Sequence, residues 1–369
     1  MSNRLRTLAE HGQSPWIDYV SRPFLRDGEF ERFVQDGIAG VTSNPTIFQG
    51  AIADSDAYDA QLREVLRSES DPKEVFFALA REDIREACDQ LRDVFDGDRG
   101  GPTRDGWVSL EVDPNLAHDA PGTTEEARRL HAMIDRPNLF VKIPGTVAGL
   151  QAIEDTIAAG IPVNVTLLFS LERHHAAAEA YMRGLRRLRE NGGDLSTVAS
   201  VASFFVSRVD TEADRRLAEI GGPDELKGTL AIANAKLAYQ TYKQLFAGVD
   251  WDELAAAGAS PQRCLWASTS TKNPAYSDVL YVEELIGPRT VNTMPRETIE
   301  AFADHGRVAQ TLERDVDEAR RALDRFAEAG IDYDDVVAVL EREGVEKFAD
   351  SFKKLLDGVA SKRDRLVAA

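Results

Sequence analysis

The sequence predicts an α/β fold in which eight parallel strands close into a (β/α)8 barrel with additional helices. Short apolar segments alternate with helical segments along the 369 residues, which is the pattern of a parallel sheet covered by helices. No linker rich in Pro, Gly or Ser separates two halves, so we expect a single domain over residues 1–369. A doubly wound sheet is the alternative, but the chain contains neither GxGxxG nor GxxxxGK[ST], the phosphate-binding patterns of that architecture.

The eight predicted strands are short runs of β-branched, aliphatic and aromatic residues bounded by turn-forming residues. In chain order they are residues 16–20, 40–44, 107–112, 138–145, 161–169, 198–205, 265–269 and 290–293. Apolar residues that recur every three or four positions predict the helices. These are residues 27–36, 55–66, 72–95, 125–135, 146–158, 171–189 and 208–246, then helical segments from 295 onward that end with an amphipathic helix at 346–366. Residues 96–106 are predicted to be a turn-rich loop.

Glycine, proline and serine residues set the ends of several elements. Gly37 ends the first helix, and Pro45 ends the second strand. Gly160 stops the helix that precedes the fifth strand, and Ser170 is placed to cap the amino end of the helix that follows it. The Gly-Gly-Pro sequence at 221–223 predicts a break inside the helical stretch 208–246.

Composition and charge exclude several classes of function. The chain carries 44 Lys+Arg against 63 Asp+Glu, a net charge of −19, which disfavours nucleic acid and anionic membranes as partners. Residues 1–10 lack the apolar run of a secretory signal, and no stretch approaches the ~20 apolar residues of a membrane span. Cys88 and Cys264 lie far apart with no disulfide or metal spacing, so we expect a reducing cytoplasm. The sequence leaves the oligomeric state open, with a homodimer as one option.

Isolated polar residues interrupt the predicted strands. In a barrel, residues at the carboxyl ends of the strands face one pocket. The polar members are Asp18, Asn44, Glu111, Lys142, Asn164, Thr166, Ser203 and Ser268. Each has an ordinary explanation by itself; Asn44 before Pro45, for example, is a common turn residue. Together they supply one amine, two carboxylates and several neutral hydrogen-bonding groups, and buried polar groups on so many strands are hard to satisfy unless they share a pocket.

Lys142 stands out because it lies inside the apolar segment NLFVKIPG at 138–145. Burial favours the neutral, nucleophilic amine, which is the condition that a Schiff-base lysine needs. The alternative is a lysine whose stem packs against the strand while its ammonium group reaches water. Other catalytic classes find less support. The histidines show no HxxxH or HExxH spacing, and no GxSxG motif occurs, so no metal centre or serine hydrolase is predicted.

The motifs resemble those of the transaldolases, class I aldolase-type enzymes of the non-oxidative pentose phosphate pathway. The matching stretches are GVTSNPTIFQGAI from Gly40, SLEVDP from Ser109, NLFVKIPGT from Asn138, IPVNVTLLFS from Ile161, ASFFVSRVD from Ala202 and LWASTSTKNPAYSD from Leu265. The chain length and the last of these motifs are similar to a long-chain bacterial subgroup. The resemblance covers nearly the whole chain and implies one barrel, sugar-phosphate substrates, no metal and no organic cofactor.

The resemblance also implies a role for each site residue. Lys142 would form an imine with a ketose phosphate, while Glu111 would move the protons of dehydration through a water held by Thr166. Asp18 would be the general base of carbon–carbon bond cleavage. The residues that would hydrogen-bond the carbon skeleton are Asn44, Asn164 and Ser203.

Arg208 would bind the substrate phosphate together with Ser268. The shorter enzymes of the family carry a second phosphate-binding arginine two residues past the position of Ser268, where this chain has Ser270. Lys272 is the nearest basic residue in that loop and would take its place. The final helix, around Phe348, would pack over the barrel mouth.

Two alternatives to transfer remain at this point. One is a lyase of the same superfamily that cleaves fructose 6-phosphate; those relatives are shorter and carry Gln at the position of Glu111 and Tyr at the position of Phe205. The other is a sugar-phosphate-binding barrel without turnover. Both Glu111 and Phe205 favour transfer, and the two carboxylates that accompany the lysine favour catalysis.

Overall fold

Eight parallel strands close into a barrel, as the sequence predicts. The computed structural model describes residues 3–53, 55–97 and 104–368. The strands follow one another around the barrel in chain order, and the last pairs with the first. They are β1 Gln13–Ile17, β2 Gly40–Val41, β3 Trp107–Glu111, β4 Leu139–Pro144, β5 Val163–Leu168, β6 Ser200–Phe205, β7 Arg263–Ala267 and β8 Thr290–Met294.

Helices surround this barrel. Those found within the described ranges are α1 Arg4–Glu10, α2 Arg22–Arg26, α3 Glu29–Asp36, α4 Pro45–Ala53, α5 Asp59–Val65, α6 Pro72–Gln90, α7 Arg92–Gly97, α8 Ala120–Ile134, α9 Val147–Ala158, α10 Leu171–Glu190, α11 Ser207–Ile220, α12 Leu230–Leu245, α13 Val249–Ala256, α14 Leu280–Glu284, α15 Arg296–His305, α16 Val316–Glu328 and α17 Tyr333–Ala368. In that part of the chain, no helix combines the length and apolar composition that a membrane span requires.

Some element boundaries differ from the prediction. β1 lies three residues earlier than predicted and ends at Ile17, so Asp18 follows the strand instead of lying within it. The polar start of β1 is buried by distant partners: the Ser14 hydroxyl donates to Asp105 Oδ2 over 2.5 Å. α17 begins at Tyr333, well before the predicted 346. Part of the loop predicted at 96–106 is helical through Gly97, and its residues 98–103 lie outside the described ones.

Aromatic side chains fill the amino-terminal half of the barrel interior. The rings of Trp107 and Phe140 stack with centroids 4.1 Å apart, and Trp16 lies 6.2 Å from Phe140. Gly40 makes room for this packing, since a Cβ atom there would lie 2.5 Å from the Trp16 ring. These rings fill the amino-terminal end of the barrel, and a cavity lies at the carboxyl ends of the strands.

The long helix α17 crosses that open end and is fastened on both sides. Near its start, the Tyr333 hydroxyl donates to Asn234 Oδ1 over 2.7 Å. Towards its other end, buried Lys362 forms an ion pair of 2.8 Å with Asp59. Between these points, Phe348 faces the cavity at the barrel mouth. The expected helix over the mouth is therefore present.

Candidate active site

A cavity of about 310 Å³ opens at the carboxyl ends of the strands. Eight of the ten predicted site residues line it: Asp18, Asn44, Lys142, Thr166, Ser203, Arg208, Ser268 and Lys272. The other two, Glu111 and Asn164, contact residues of that lining directly. The structure thus brings together all ten residues, which are spread over positions 18 to 272.

Lys142 lies in the centre of this site. Its side chain is 6% exposed, and Nζ donates to the carbonyl oxygen of Ser43 over 3.1 Å. The ring centroid of Phe348 lies 5.8 Å from Nζ. The amine is therefore held at the cavity surface with little access to bulk water, which rules out the alternative of an ammonium group that reaches solvent.

Glu111 lies beside Lys142 because β3 and β4 pair these two residues in register. The nearest carboxylate oxygen, Oε2, is 3.5 Å from Nζ. Burial raises the pKa of Glu111 to about 7, while the lysine charge acts in the opposite direction. A carboxyl group that titrates near neutral pH can both donate and accept a proton.

Asp18 lies on the other side of the cavity, just after β1. Its Oδ1 accepts a hydrogen bond of 2.6 Å from the Thr42 hydroxyl, which lies 2.7 Å from the hydroxyl of Thr293. Burial raises the pKa of Asp18, and the charges of Lys142 and Arg208 partly oppose this effect. Asp18 is thus oriented by neighbouring strands and fits the role of a base.

Thr166 is aimed by an irregularity in β5. The pairing of β5 with β6 shifts register between Val165 and Leu168, and Leu167 adopts a left-handed φ of 59°. Thr166 Oγ1 is buried and forms no hydrogen bond with the described residues. Bulges of this kind commonly re-aim a side chain at an active site, and here Thr166 lines the cavity.

Neutral hydrogen-bonding groups form a row across β3, β5 and β6. Asn164 Nδ2 donates to Ser109 Oγ over 3.0 Å, and Ser203 Oγ donates to Asn164 Oδ1 over 2.7 Å. Asn44 accepts a hydrogen bond of 3.1 Å from the Ile47 amide. Asn44 therefore acts as a turn residue at the start of α4 and also lines the cavity.

Positive charge gathers at the far side of the cavity. The Arg208 guanidinium lies 5.0 Å from the centre of the Phe205 ring, and burial lowers the Arg208 pKa. Within the described part of the chain, neither Arg208 nor Lys272 forms an ion pair; Lys272 donates only to Ser270 Oγ, over 2.8 Å. Ser268, whose backbone has a left-handed φ of 57°, lines the same cavity. Two cations that form no ion pair with the described residues make a suitable site for an anion such as phosphate.

Sequence reasoning missed several residues of the site. Thr42, just after β2, and Thr293, in β8, orient Asp18, and the Ser43 carbonyl and Ser109 hydroxyl hold Lys142 and Asn164. Threonine and serine are ordinary strand residues, so only the strand register, which is a tertiary property, marks them. No cluster of His, Cys, Asp and Glu suited to a metal ion occurs among residues 3–53, 55–97 and 104–368.

Comparison with known proteins agrees with this geometry. The family model described as transaldolase/fructose-6-phosphate aldolase matches residues 15–359. The chain belongs to the transaldolase/fructose-6-phosphate aldolase family. The resemblance noted from the motifs is thereby confirmed over nearly the full length.

Curated relatives point to the transaldolase side of this family. A protein of Frankia alni named "Transaldolase" is 52% identical over an alignment of 369 residues that covers 99% of each chain. Proteins with the same name from Thermobifida fusca and Thiobacillus denitrificans are 50% and 48% identical, over 98% and 96% of this chain and 98% and 99% of their own.

Proposed function

We propose that this member of the transaldolase/fructose-6-phosphate aldolase family is a transaldolase. It transfers a dihydroxyacetone unit from a ketose phosphate, such as sedoheptulose 7-phosphate or fructose 6-phosphate, to an aldose phosphate, such as glyceraldehyde 3-phosphate or erythrose 4-phosphate. The observation that carries this proposal is the Lys142–Glu111 contact of 3.5 Å beside a cavity that is also lined by Arg208, which forms no ion pair with the described residues. A nucleophilic amine, a proton donor and a phosphate site are the three things this transfer requires.

The first step is imine formation on Lys142. The neutral amine attacks the ketone carbon of the donor and gives a carbinolamine. Glu111 then donates a proton to the departing hydroxyl group, which leaves as water and produces a protonated imine. Thr166, a cavity-lining residue whose buried hydroxyl forms no hydrogen bond with the described residues, holds the water through which the proton moves.

The second step is cleavage of the carbon–carbon bond. Asp18 takes the proton of the hydroxyl group on the far carbon of the bond that breaks, and that carbon becomes the aldehyde carbon of the aldose phosphate that leaves. The electron pair of the broken bond moves into the imine, which becomes a neutral enamine. Asn44, Asn164 and Ser203 hydrogen-bond the three-carbon fragment, which stays attached to Lys142.

Transfer ends when an acceptor aldose phosphate binds. The enamine carbon attacks the acceptor aldehyde, and Asp18 returns its proton to the new hydroxyl group. Water then hydrolyses the imine, with Glu111 as the base. Arg208, assisted by Ser268 and Lys272, binds the phosphate of donor and acceptor and so places the reacting carbons against Lys142.

Two residues favour transfer over release of free dihydroxyacetone. Glu111 is a carboxylate where the lyases of the family carry glutamine, and Phe205 is a phenylalanine where they carry tyrosine. Phe205 is buried, and its ring packs 5.2 Å from that of Phe169. It therefore presents an apolar surface to the cavity, without a hydroxyl group that could deliver a proton to the enamine.

Reduction with borohydride tests the proposal. The protein is reduced with and without fructose 6-phosphate, then analysed by intact mass and peptide mapping. We expect an adduct of dihydroxyacetone size on Lys142 only when the sugar phosphate is present. Folded protein that forms no adduct would overturn the proposal and leave a binding barrel without turnover.

The location and assembly of the protein are separate proposals. Both Cys88 and Cys264 are buried free thiols, which supports a reducing cytoplasm. The net charge of −19 supports an absence of nucleic-acid partners. A homodimer is tested by light scattering of the purified protein.

A further inference from the structure

The loop that follows β7 carries Ser268 and Lys272, and it is tied to α11, the helix that carries Arg208. We propose that two tyrosine–aspartate pairs, Tyr276–Asp214 and Tyr281–Asp210, position this loop so that its groups and Arg208 close on one phosphate. This inference rests on the proposed function, because it assigns the residues that shape the phosphate end of the same site.

The first pair joins the middle of the loop to α11. The Tyr276 hydroxyl donates to Asp214 Oδ2 over 2.6 Å, while the amide of Gly228 donates to Oδ1 over 3.0 Å. The Tyr276 ring packs closely against Gly228, where a Cβ atom would come within 2.8 Å of the ring carbon that bears the hydroxyl. A φ of 74° at Gly228 also requires glycine there. The ring is therefore held in one place both by the hydrogen bond of its hydroxyl and by its close contact with Gly228.

The second pair lies one helical turn away. Asp210 is buried, and its carboxylate accepts hydrogen bonds from the Tyr281 hydroxyl over 2.8 Å and from the Ala231 amide over 2.7 Å. Asp210 and Asp214 are four residues apart, so they lie on the same face of α11. Two phenols from the segment after β7 thus meet two carboxylates on one helix face.

Lys272 lies between these pairs and the substrate cavity. A second cavity of about 200 Å³ lies behind the loop, and its lining includes Asp210, Asp214, Tyr276 and Lys272. Lys272 also lines the substrate cavity. The other end of the loop is attached to the same helix, because the Ser268 and Ser207 hydroxyls lie 2.9 Å apart.

The spacing between the two cations therefore depends on these attachments. Arg208 is fixed by α11, whereas Lys272 is exposed and has only Ser270 as a hydrogen-bond partner among the described residues. Because the loop is fastened at Ser268 and at Tyr276, the short segment between them can move little. This restricts Lys272 to positions that face Arg208. Neither tyrosine lines the substrate cavity, so both act by positioning.

Tyr276→Phe tests the inference because it keeps the ring and removes only the hydroxyl. We expect KM for fructose 6-phosphate to rise about five- to tenfold while kcat stays within about twofold, since binding of the phosphate weakens and the chemistry at Lys142 is untouched. Dihydroxyacetone carries no phosphate, so the concentration that half-saturates its borohydride trapping on Lys142 should not change. Tyr239→Phe is the matched control, because its hydroxyl donates to the Pro288 carbonyl over 3.0 Å ahead of β8.

Asp214→Asn provides a second variant in case Tyr276→Phe folds poorly. An amide keeps one oxygen acceptor and loses the charge, so we expect a smaller rise in KM for fructose 6-phosphate. In the double variant the two rises should not add, because both remove the same contact.

The results distinguish this inference from the proposed function. An unchanged KM for fructose 6-phosphate in both single variants would overturn the inference. An equal rise in the concentration of dihydroxyacetone that half-saturates trapping would also overturn it, because that result would show a general structural effect. If the unmodified protein trapped neither ketone, the proposed function itself would fall and the inference with it.

Discussion

Glu111→Gln should make the protein slower and more stable at the same time. Burial raises the pKa of Glu111 from its ordinary value of 4.5 to about 7. The folded state therefore holds this proton more tightly than the unfolded state. The stabilising effect of the protonated carboxyl is complete below about pH 4.5 and is lost as the pH rises through about 7.

The size of the expected change in the free energy of unfolding follows from the shift in the Glu111 pKa. Each tenfold change in proton affinity corresponds to about 1.4 kcal/mol, so the ionised carboxylate costs the folded state about 3 kcal/mol at pH 8. Glutamine carries no charge and removes this cost. The free energy of unfolding should rise by up to about 3 kcal/mol at pH 8 and change little at pH 4.5.

Activity should move in the opposite direction. Imine formation requires a proton from Glu111, so its single-turnover rate should fall as the pH rises through about 7 in the unmodified protein. In Glu111→Gln the rate should drop by about a hundredfold or more, the usual range for a lost acid–base group, and its inflection near pH 7 should disappear. The three-carbon fragment of the enamine that does form should be released more often as free dihydroxyacetone. Cleavage of the donor to free dihydroxyacetone and a free aldehyde should therefore rise relative to transfer.

Urea unfolding at pH 5 and pH 8 measures stability, and rapid quenching with borohydride measures imine formation. Asp113→Asn is a matched control two residues further on. This substitution also replaces a carboxylate with an amide. Asp113, however, pairs with Lys73 over 2.8 Å and does not line the cavity. A Gln variant that is less stable at pH 8, or that keeps the full rate and its inflection, would refute the reasoning. An unchanged ratio of cleavage to transfer would refute the part assigned to Glu111 in transfer.

Three further substitutions probe other parts of the molecule. Lys142→Ala should abolish transfer and the borohydride adduct while leaving the circular dichroism spectrum unchanged; substantial residual transfer would contradict the role of Lys142. Arg208→Lys keeps the charge but loses the planar two-pronged donor, so KM for fructose 6-phosphate should rise about tenfold, and an unaltered KM would place the phosphate elsewhere. Lys362→Met leaves Asp59 without its buried partner and should lower the free energy of unfolding by about 3 kcal/mol, measured by urea; an unchanged midpoint would show that this end of α17 is not fastened by the pair.

The features that could be predicted from sequence are those with a local signal. β4 is apolar except for Lys142, and the observed strand Leu139–Pro144 lies within the predicted 138–145. Barrel geometry then places the polar ends of the other strands around the same opening. Motifs such as GVTSN and IPVNV carry their site residues at fixed positions in the strands, so their place in the cavity follows once the barrel is predicted.

The features that could not be predicted depend on partners far away in the chain. The start of β1 is polar and has the composition of a loop. Ser14 is nevertheless buried there, because Asp105, 91 residues later, accepts its hydrogen bond. Thr42 gains its role from Asp18, which directly follows β1. Tyr276 is separated from Asp214 by 62 residues. Neither residue type nor spacing marks such pairs, because they arise only when the barrel closes.

The position of α17 along the chain gives the site an order of assembly. All eight strands, with Lys142, Glu111 and Asp18, precede α17 in the sequence, so a growing chain makes its reactive amine long before the helix that carries Phe348. Because synthesis runs from the amino end, α17 is the last of these elements to become available, and a barrel mouth without it would be uncovered. An imine formed at that stage would lie open to water and would be hydrolysed instead of passed on. The catalytic side chains are thus synthesised first. The helix that shields a covalent intermediate from water is synthesised last.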